Sequence, residues 1–233
     1  MGKKKNAAVI AAAGMGTRMG SDIPKQYMKI DGKPMLYYSI AAFETCPIID
    51  EIIITVAPGE ELRCYDEVID RYHFRKVSSV TVGGAERYQS VYNGLMAVDP
   101  ACGYVFIHDG ARPCVTRDII TRAYEEVQAY DACVVGIPVK DTIRRIRRND
   151  DCVSEVLDRN EIWMMQTPQV FDCHLITEAY EGYIAGGAAD ATDDAMVLER
   201  MTAHPVRIVE GSYRNIKVTT PEDLAIAGIF LKK

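Results

Sequence analysis

The sequence has no long apolar run, no excess of basic residues and no paired-cysteine motif, and each absence argues against a class of protein. One of the longest apolar runs, residues 52–57, is far shorter than the roughly 20 residues of a membrane-spanning helix. The net charge is −6, whereas general binders of nucleic acid or anionic membranes are basic. We therefore expect neither nucleic acid nor a membrane as a partner, and any phosphate site must be a local group of cations.

The seven cysteines are scattered without a C-x-x-C pair, so the sequence indicates neither a disulfide framework nor a zinc site. Residues 1–5 are basic, but the apolar stretch that follows ends at Gly14, which does not fit a secretory signal peptide. We expect reduced thiols and a cytoplasmic location. A chain of 233 residues can bury roughly 70% of its unfolded surface, so we expect a single domain, residues 1–233, that needs no structural metal.

Short β-rich runs alternate with segments of helical periodicity through most of the chain. The runs typical of buried strands are residues 7–12, 51–57, 77–82, 104–107 and 132–139. Between them, apolar residues recur at helical spacing, as Leu36, Ile40 and Phe43 do after Pro34, which we place at the first helical position. This alternation predicts an α/β fold with a doubly wound, mainly parallel sheet. In such sheets ligands bind beyond the carboxyl ends of the strands.

The first predicted strand leads into a glycine-rich loop, AAAGMGTRMG, and then into Pro24-Lys25-Gln26. Bare backbone N–H groups followed by two fixed cations, Arg18 and Lys25, suit a polyphosphate. A dinucleotide fingerprint would need glycine at position 19, which is Met19, and the ATPase-type loop fails in both frames. A flexible surface turn is the alternative. The preceding strand and the following cations favour a nucleotide triphosphate site.

Two further segments follow predicted strands, so the loop at Gly14 could meet Gly83 and Asp109 in one crevice. Asp109 could support a Mg²⁺ shell or bind a substrate hydroxyl, or it could serve only as a turn residue. We expect its neighbour His108 to be structural. The turn at Gly83, with Arg87 and Ser90 after it, suits backbone contacts to a base or ribose, although a bare turn would need no ligand.

The alternation of strands and helices ends at Lys140. The segment that follows is charged and has an alternating residue pattern, which predicts a two-stranded β arm over residues 139–160. An isolated hairpin is marginal in water, so we expect it to pack on a second subunit; a solvated basic hairpin is the alternative. Beyond the arm we predict a helix over residues 172–185 and a second helix, with Thr192 as N-cap, over 193–201. Strands are predicted at 205–209 and 215–218, the second containing Lys217. Thr220 and Pro221 open the last helix.

Eight motifs, in this order over almost the whole chain, resemble those of the 2-C-methyl-D-erythritol 4-phosphate cytidylyltransferases. They are AAAGMGTRMG with PKQY, GGAERYQSV, HDGARP, PVKDT, DRNEIW, QTPQVF, TDDA and NIKVTTPEDL. The resemblance implies a Rossmann-like nucleotidyltransferase fold and an Mg²⁺-assisted transfer in non-mevalonate isoprenoid synthesis. The phosphate of methylerythritol phosphate would attack the α-phosphorus of CTP, giving the CDP-linked alditol and pyrophosphate.

The resemblance also implies a role for each matching position. Arg18 and Lys25 would stabilise the transition state, and Arg159 and Lys217 would hold the acceptor phosphate. The positions implied to enclose the nucleotide are Ala12, Ala13, Gly14, Gly16, Gly83 and Ser90. The positions implied to line the acceptor side are Asp109, Gly110, Thr142, Thr167 and Thr192. The family's arm crosses to a second subunit, so in a homodimer Thr142 and Arg159 would serve the partner's site. The direct protein ligands of the metal stay open.

Two departures and two alternatives accompany the resemblance. Ala85 stands where many members carry an acid, and Gly110 stands where others have alanine. The ribitol 5-phosphate cytidylyltransferases share the fold and several motifs, although Trp163 after the Asp-Arg-Asn turn favours the methylerythritol branch. A non-catalytic nucleotide-binding regulatory protein is the alternative from a different class. The retention of both Lys25 and Lys217 argues for the enzyme.

Overall fold

The computed structural model describes residues 4–14, 16, 23–146 and 154–232. Its strands are β1 Lys5–Ala12, β2 Lys29–Ile30, β3 Lys33–Pro34, β4 Glu51–Val56, β5 Val77–Val82, β6 Cys102–Asp109, β7 Ala132–Pro138, β8 Arg144–Ile146, β9 Ser154–Val156, β10 Trp163–Asp172 and β11 Arg207–Glu210. Its α-helices are α1 Met35–Glu44, α2 Glu61–Cys64, α3 Asp70–Tyr72, α4 Arg87–Leu95, α5 Arg117–Tyr130, α6 Cys173–Ala185, α7 Asp194–Met201 and α8 Pro221–Leu231. A π-helical segment, Tyr65–Ile69, joins α2 to α3, and short 3₁₀ helices cover Lys25–Tyr27 and Arg159–Glu161.

Seven strands form the central sheet, in the order β11-β7-β10-β6-β1-β4-β5. Six of them pair in parallel with a neighbouring strand, and β10 runs antiparallel between β6 and β7. The carboxyl ends of β1, β4, β5 and β6 therefore lie at one edge of the sheet. The mainly parallel α/β architecture expected from the sequence is confirmed.

Both faces of the sheet are covered, which makes the sheet doubly wound. On one face, Ile10 and Ile54 pack with Leu36, Ile40 and Phe43 of α1, all fully buried. Alternate strand residues point to the other face, where the cluster includes side chains of α4, α6 and α7. Burying each such large side chain contributes roughly 1.5–3 kcal/mol, so these two clusters fix the strand ends that carry the site.

The helix starts follow their capping residues. Thr116 caps α5, Asp172 caps α6, and Thr220 begins a reciprocal capping box with Asp223 at the start of α8. Pro34 is the cap of α1 and precedes its first helical residue, one position earlier than predicted. Thr192 does not cap α7. The carboxylate of Asp193 accepts from the Met196 amide instead, because it lies one residue closer to the free N–H groups.

Two other predictions meet the structure with different results, and one strand of the sheet was not predicted at all. The β8–β9 hairpin is present within the predicted β arm, with Arg144 opposite Val156. No strand forms at 215–218. Within the described chain, this segment makes one backbone hydrogen bond to another segment, from the Val218 amide to the Ala111 carbonyl, and one bond does not make a strand pair. The antiparallel strand β10 was not predicted, although it lies inside the sheet.

Candidate active site

A cavity of about 610 Å³, here called the large cavity, lies beyond the carboxyl ends of β1, β4, β5 and β6. Gly14, Gly83 and Asp109, the three positions expected to converge, all line it. Other lining residues from the predicted set are Ala12, Ala13, Lys25, Ser90, Gly110 and Lys217. The prediction that separate strand ends meet at one crevice is confirmed, because the four strands are neighbours and parallel.

The described part of the glycine loop lies against Lys25. Gly16 has φ +64°, a left-handed conformation that glycine adopts without strain. A Cβ at Gly16 would lie 3.0 Å from Cγ of Lys25, so the lysine stem crosses directly over this glycine. The Lys25 ammonium donates to the Val218 carbonyl at 3.4 Å, next along the chain to Lys217. Arg18, the other predicted cation of the loop, lies outside the described residues.

The second glycine turn packs against the first. A Cβ added to Gly83 would lie 2.4 Å from Cβ of Ala13 and 2.7 Å from Oγ of Ser90, so only glycine fits there. The amide of Gly84 donates to Oγ of Ser90 at 3.0 Å, and this hydroxyl donates to the Glu86 carbonyl. A reciprocal capping box between Glu86 and Gln89 fixes the start of α4 beside the turn. The two backbone segments thus form adjoining walls of the large cavity.

Asp109 ends β6 and is held between cations. Its Oδ1 accepts from Nε of Arg87 at 2.9 Å, its Oδ2 lies 2.8 Å from the Lys217 ammonium, and Arg112 is 3.9 Å away. Burial by itself would raise the pKa of this carboxyl, but the three cations together hold the pKa well below its usual range. Asp109 is therefore an ionised acceptor near neutral pH.

Arg87 links Asp109 to Asp194, the first residue of α7. Its two terminal nitrogens each donate at 2.8 Å to the carboxylate of Asp194, whose side chain is fully buried. The Tyr180 hydroxyl donates to the same carboxylate at 2.6 Å. Burial would lower the pKa of Arg87, whereas Asp194 and Asp109 raise it well above its ordinary value, so Arg87 stays charged. One arginine thereby connects the start of α4 beside the second glycine turn, Asp109 and α7.

A chain of hydrogen bonds that runs through His108 fixes the positions of Asp109 and Thr167. The Asp109 amide donates to the Thr167 hydroxyl, which donates to Nδ1 of His108, both at 3.0 Å. Nε2 of His108 must carry the proton, because it donates to the Arg112 carbonyl at 3.1 Å. Burial lowers the pKa of His108 to about 4, so the ring is neutral under ordinary conditions. Its role here is structural, as expected.

A smaller, more polar hollow of about 210 Å³, here called the small pocket, adjoins the large cavity. Thr167 and Thr192 line it together with Arg112. Arg87, Asp109 and Lys217 line both spaces and form their common wall. Of the predicted acceptor-side residues, the structure thus brings together Asp109, Thr167 and Thr192, with Gly110 on the large-cavity side.

Two predicted residues lie apart from this site within the chain. Thr142 is exposed and lies before β8, and Arg159 is exposed and donates to the Lys140 carbonyl at 3.1 Å. Neither lines either space. The described hairpin does place two apolar side chains, Ile146 and Val156, on one face, where they are 50% and 60% exposed.

Three residues of the site were not singled out for these roles by the sequence. Arg87 was noted only as a neighbour of the glycine turn, and its partner Asp194 lies 107 residues away. Arg112 reaches a loop and a strand, donating to the carbonyl of Asn215 in the loop after β11 and to the carbonyl of Met165 in β10. The one sequence signal available was the position of Arg87 and Arg112 directly after strand-end motifs.

Among the described residues there is no group of three or more His, Cys, Asp or Glu side chains placed to hold a metal ion. Asp109, the acid considered for a Mg²⁺ shell, has both carboxylate oxygens in contact with cations. Of the helices in the described part of the chain, none combines the length and apolar character that a membrane crossing requires.

Comparison with known proteins decides the family. The sequence model of IspD, 2-C-methyl-D-erythritol 4-phosphate cytidylyltransferase, matches residues 6–233. The chain belongs to this family. Curated members from Caldanaerobacter subterraneus and Lachnospira eligens are each 46% identical to it, over 97% of this chain and 99% of theirs. The crystal structure of 4-diphosphocytidyl-2C-methyl-D-erythritol synthase from Anaerococcus prevotii is 30% identical, with a TM-score of 0.86, and covers 99% of this chain and 97% of its own. The cytidylyltransferase fold is therefore shown.

Proposed function

We propose that this protein transfers a cytidylyl group from CTP to 2-C-methyl-D-erythritol 4-phosphate, in non-mevalonate isoprenoid precursor synthesis. Family membership supports the activity. The observation that carries the site assignment is the common wall of Arg87, Asp109 and Lys217 between the large cavity and the small pocket. A nucleotide in the first space and a small phosphate ester in the second would meet at that wall.

The reaction needs no covalent enzyme intermediate. A non-bridging oxygen of the acceptor phosphate attacks the α-phosphorus of CTP, and a new P–O bond forms. The bond from that phosphorus to the oxygen bridging the β-phosphorus breaks, and pyrophosphate leaves with the electron pair. No cysteine or histidine lines either space within the described residues, so positioning and charge would supply the catalysis.

Cations near the common wall would supply that charge. We assign Lys25, together with Arg18, to stabilise the negative charge that develops around the α-phosphorus. Lys217 is assigned to orient the acceptor phosphate, with Arg159 of the partner subunit. The contact of Lys25 with the Val218 carbonyl supports this arrangement, because it brings Lys25 to the segment that carries Lys217.

The remaining predicted residues divide between the two substrates. The nucleotide would lie against Ala12, Ala13, Gly14, Gly16, Gly83 and Ser90, whose small side chains leave room for close backbone contacts. The acceptor would contact Gly110, Thr167 and Thr192. Asp109 would accept hydrogen bonds from acceptor hydroxyls, since a carboxylate offers about four lone-pair sites and the close contacts of Arg87 and Lys217 occupy only some of them.

Mg²⁺ is the cofactor that we expect, held mainly by the triphosphate. The donor set agrees with this, since the described residues offer no protein cage and Mg²⁺ commonly binds through substrate phosphates. When bound, the ion neutralises part of the triphosphate charge. The roles of the described side chains above do not depend on its position.

We further propose a homodimer in which the β arm, residues 139–160, reaches the partner's site. The exposed Ile146 and Val156 on one face of the hairpin support this, because an isolated hairpin with apolar side chains is marginal in water. Thr142 and Arg159 would then complete the neighbouring site.

We also propose that the single domain spans residues 1–233 and functions in the cytoplasm. The free thiols of the described cysteines favour the cytoplasmic location.

Mixing two inactive variants tests the shared site. Lys25→Ala and Arg159→Ala subunits, unfolded together and refolded, form mixed dimers. If arms cross, each mixed dimer has one intact site, so about a quarter of the sites in a random mixture regain activity. If Arg159 serves its own chain, a mixed dimer has no intact site, and the absence of recovery in a verified heterodimer would refute the crossing.

The experiment that tests the function is a substrate matrix. Pyrophosphate release is measured with CTP, UTP and ATP, each against methylerythritol phosphate and ribitol 5-phosphate. We expect the highest kcat/KM for CTP with methylerythritol phosphate. Faster turnover of ribitol 5-phosphate would establish the alternative acceptor, and nucleotide binding without turnover of any pair would indicate the regulatory alternative.

A further inference from the structure

Gln26 is a buried polar residue that no step of the proposed reaction uses. It lies in the 3₁₀ helix Lys25–Tyr27 and is 2% exposed. Neither its amide nitrogen Nε2 nor its amide oxygen Oε1 has a hydrogen-bond partner among the described residues. A buried amide with no partner is unfavourable, since both groups lose the hydrogen bonds that water gives them in the unfolded chain.

The other buried glutamines show how this chain treats such a side chain. Oε1 of Gln169 accepts from the amides of Asp194 and Ala195, and its Nε2 donates to Asp193. Gln166 donates to the Ser212 carbonyl and accepts from Asn215. Gln26 is thus the one buried glutamine of the described chain with both amide groups unpaired. Within the described residues, that contrast leaves the amide of Gln26 as a group for which a ligand could supply the partner.

The position of Gln26 identifies the kind of partner. It lines the large cavity, together with Lys25 and the glycine segments at Gly14 and Gly83, and it does not line the small pocket. An amide needs both an acceptor and a donor to be satisfied. A nucleoside triphosphate offers both, because its phosphate and base oxygens accept while its ribose hydroxyls and exocyclic amine donate.

We propose that the Gln26 side chain turns toward the large cavity when CTP binds, so that its two amide groups, enclosed in the free protein, gain partners from the nucleotide. This inference rests on the proposed function of that cavity. Gln26 thereby makes the free protein less stable at this point and makes the nucleotide complex tighter. A purely structural glutamine would do neither, which separates the two roles by experiment.

Gln26→Met tests the proposal, because methionine keeps the length and shape of the side chain and removes its polar groups. We expect the Tm of the nucleotide-free protein to rise by at least about 2 °C. We expect the Kd for CTP, measured by titration calorimetry, to rise about tenfold. The KM for the acceptor should stay within about twofold of wild type, since Gln26 does not line the small pocket.

Gln169→Met is the matched control, being the same substitution at a glutamine whose amide nitrogen and oxygen both have partners. It should lower the Tm, because the amides of Asp194 and Ala195 lose their acceptor. A second variant, Gln26→Glu, keeps the shape but places a carboxylate where the amide donor was. Measured at a pH above the pKa of the introduced acid, which burial raises, this variant should weaken CTP binding more than Gln26→Met does, through repulsion of the triphosphate.

The outcomes separate this inference from the function on which it rests. If Gln26→Met lowers the Tm as Gln169→Met does, or binds CTP within about twofold of wild type, the inference is overturned. Wild-type affinity in Gln26→Glu would overturn it as well. If the wild-type protein itself gives no calorimetric signal with CTP, the proposed function of the large cavity fails first.

Discussion

Replacing Arg87 by Met should destabilise the protein far more than the loss of an ordinary surface arginine. Arg87 makes three charge-assisted hydrogen bonds of 2.8–2.9 Å, one to Asp109 and two to Asp194. Asp109 would keep Lys217 at 2.8 Å, but Asp194 would keep only the Tyr180 hydroxyl among the side chains described around it. Because the Asp194 side chain is fully buried, its charge would stay without a counter-ion.

The magnitude follows from that isolated charge. Removing one partner of a buried ion pair costs about 3–5 kcal/mol, so we expect the free energy of unfolding to fall by about that amount. Typical domains have about 5–15 kcal/mol in total, so the variant should remain folded at room temperature. Arg87→Met combined with Asp194→Asn should be more stable than Arg87→Met alone, because the second change removes the unpaired charge.

Urea unfolding followed by far-ultraviolet circular dichroism measures these differences. Arg63→Met is the matched control, since Arg63 also bridges two carboxylates, Glu60 and Glu67, but its side chain is 32% exposed. Its loss should cost no more than about 1 kcal/mol. The reasoning is refuted if Arg87→Met also costs less than about 1 kcal/mol, or if adding Asp194→Asn brings no recovery.

Two other predictions concern catalysis and pH. Lys25→Ala should lower kcat by about 10²–10³, as the loss of one charge-stabilising group typically does, while the circular dichroism spectrum stays unchanged. A kcat within about twofold of wild type in a pyrophosphate-release assay would contradict the role of Lys25. His108 has a folded pKa of about 4 against about 6.5 unfolded, so the unfolded chain binds the proton first and stability is lost as the pH falls through that interval. The unfolding free energy should therefore drop there by up to about 1.4 kcal/mol per pH unit more in wild type than in His108→Gln, and equal pH slopes in urea titrations would refute the neutral buried ring.

Much of the fold follows from local pattern. The helix α1 and the strand β5 were predicted because their apolar spacing or β-rich composition is continuous over whole elements. The strand β10 was missed because Gln166, Thr167 and Pro168 interrupt its apolar character in the middle. The register of β10 against β7 shifts at these residues, and Gln166 and Thr167 line the small pocket.

Two other predictions were wrong because neighbouring residues compete for one capping position or because a strand depends on a pairing partner. Thr192 and Asp193 are both good caps, and only the backbone geometry selects Asp193. The segment around Lys217 is apolar enough for a strand, yet no neighbouring strand is available to complete its hydrogen bonds in the described chain. Composition cannot supply a pairing partner.

Some features of the candidate site could likewise be predicted from the sequence, and others could not. Convergence of Gly14, Gly83 and Asp109 could be predicted, because parallel neighbouring strands bring their carboxyl ends together. The contact of Arg87 with Asp194 could not, since it depends on the packing of α7 against the sheet across 107 residues of sequence. The unpaired amide of Gln26 is visible only once its surroundings are known.

The central claim is that the acceptor phosphate attacks the α-phosphorus of CTP at the wall between the two spaces. Parallel reactions with CTP labelled at the α- or the γ-phosphorus, with methylerythritol phosphate as acceptor, test it directly. The account predicts that the α-label enters the alditol product and that the γ-label leaves entirely in pyrophosphate. Appearance of the γ-label in the alditol product would contradict it, because the protein would then transfer the terminal phosphoryl group.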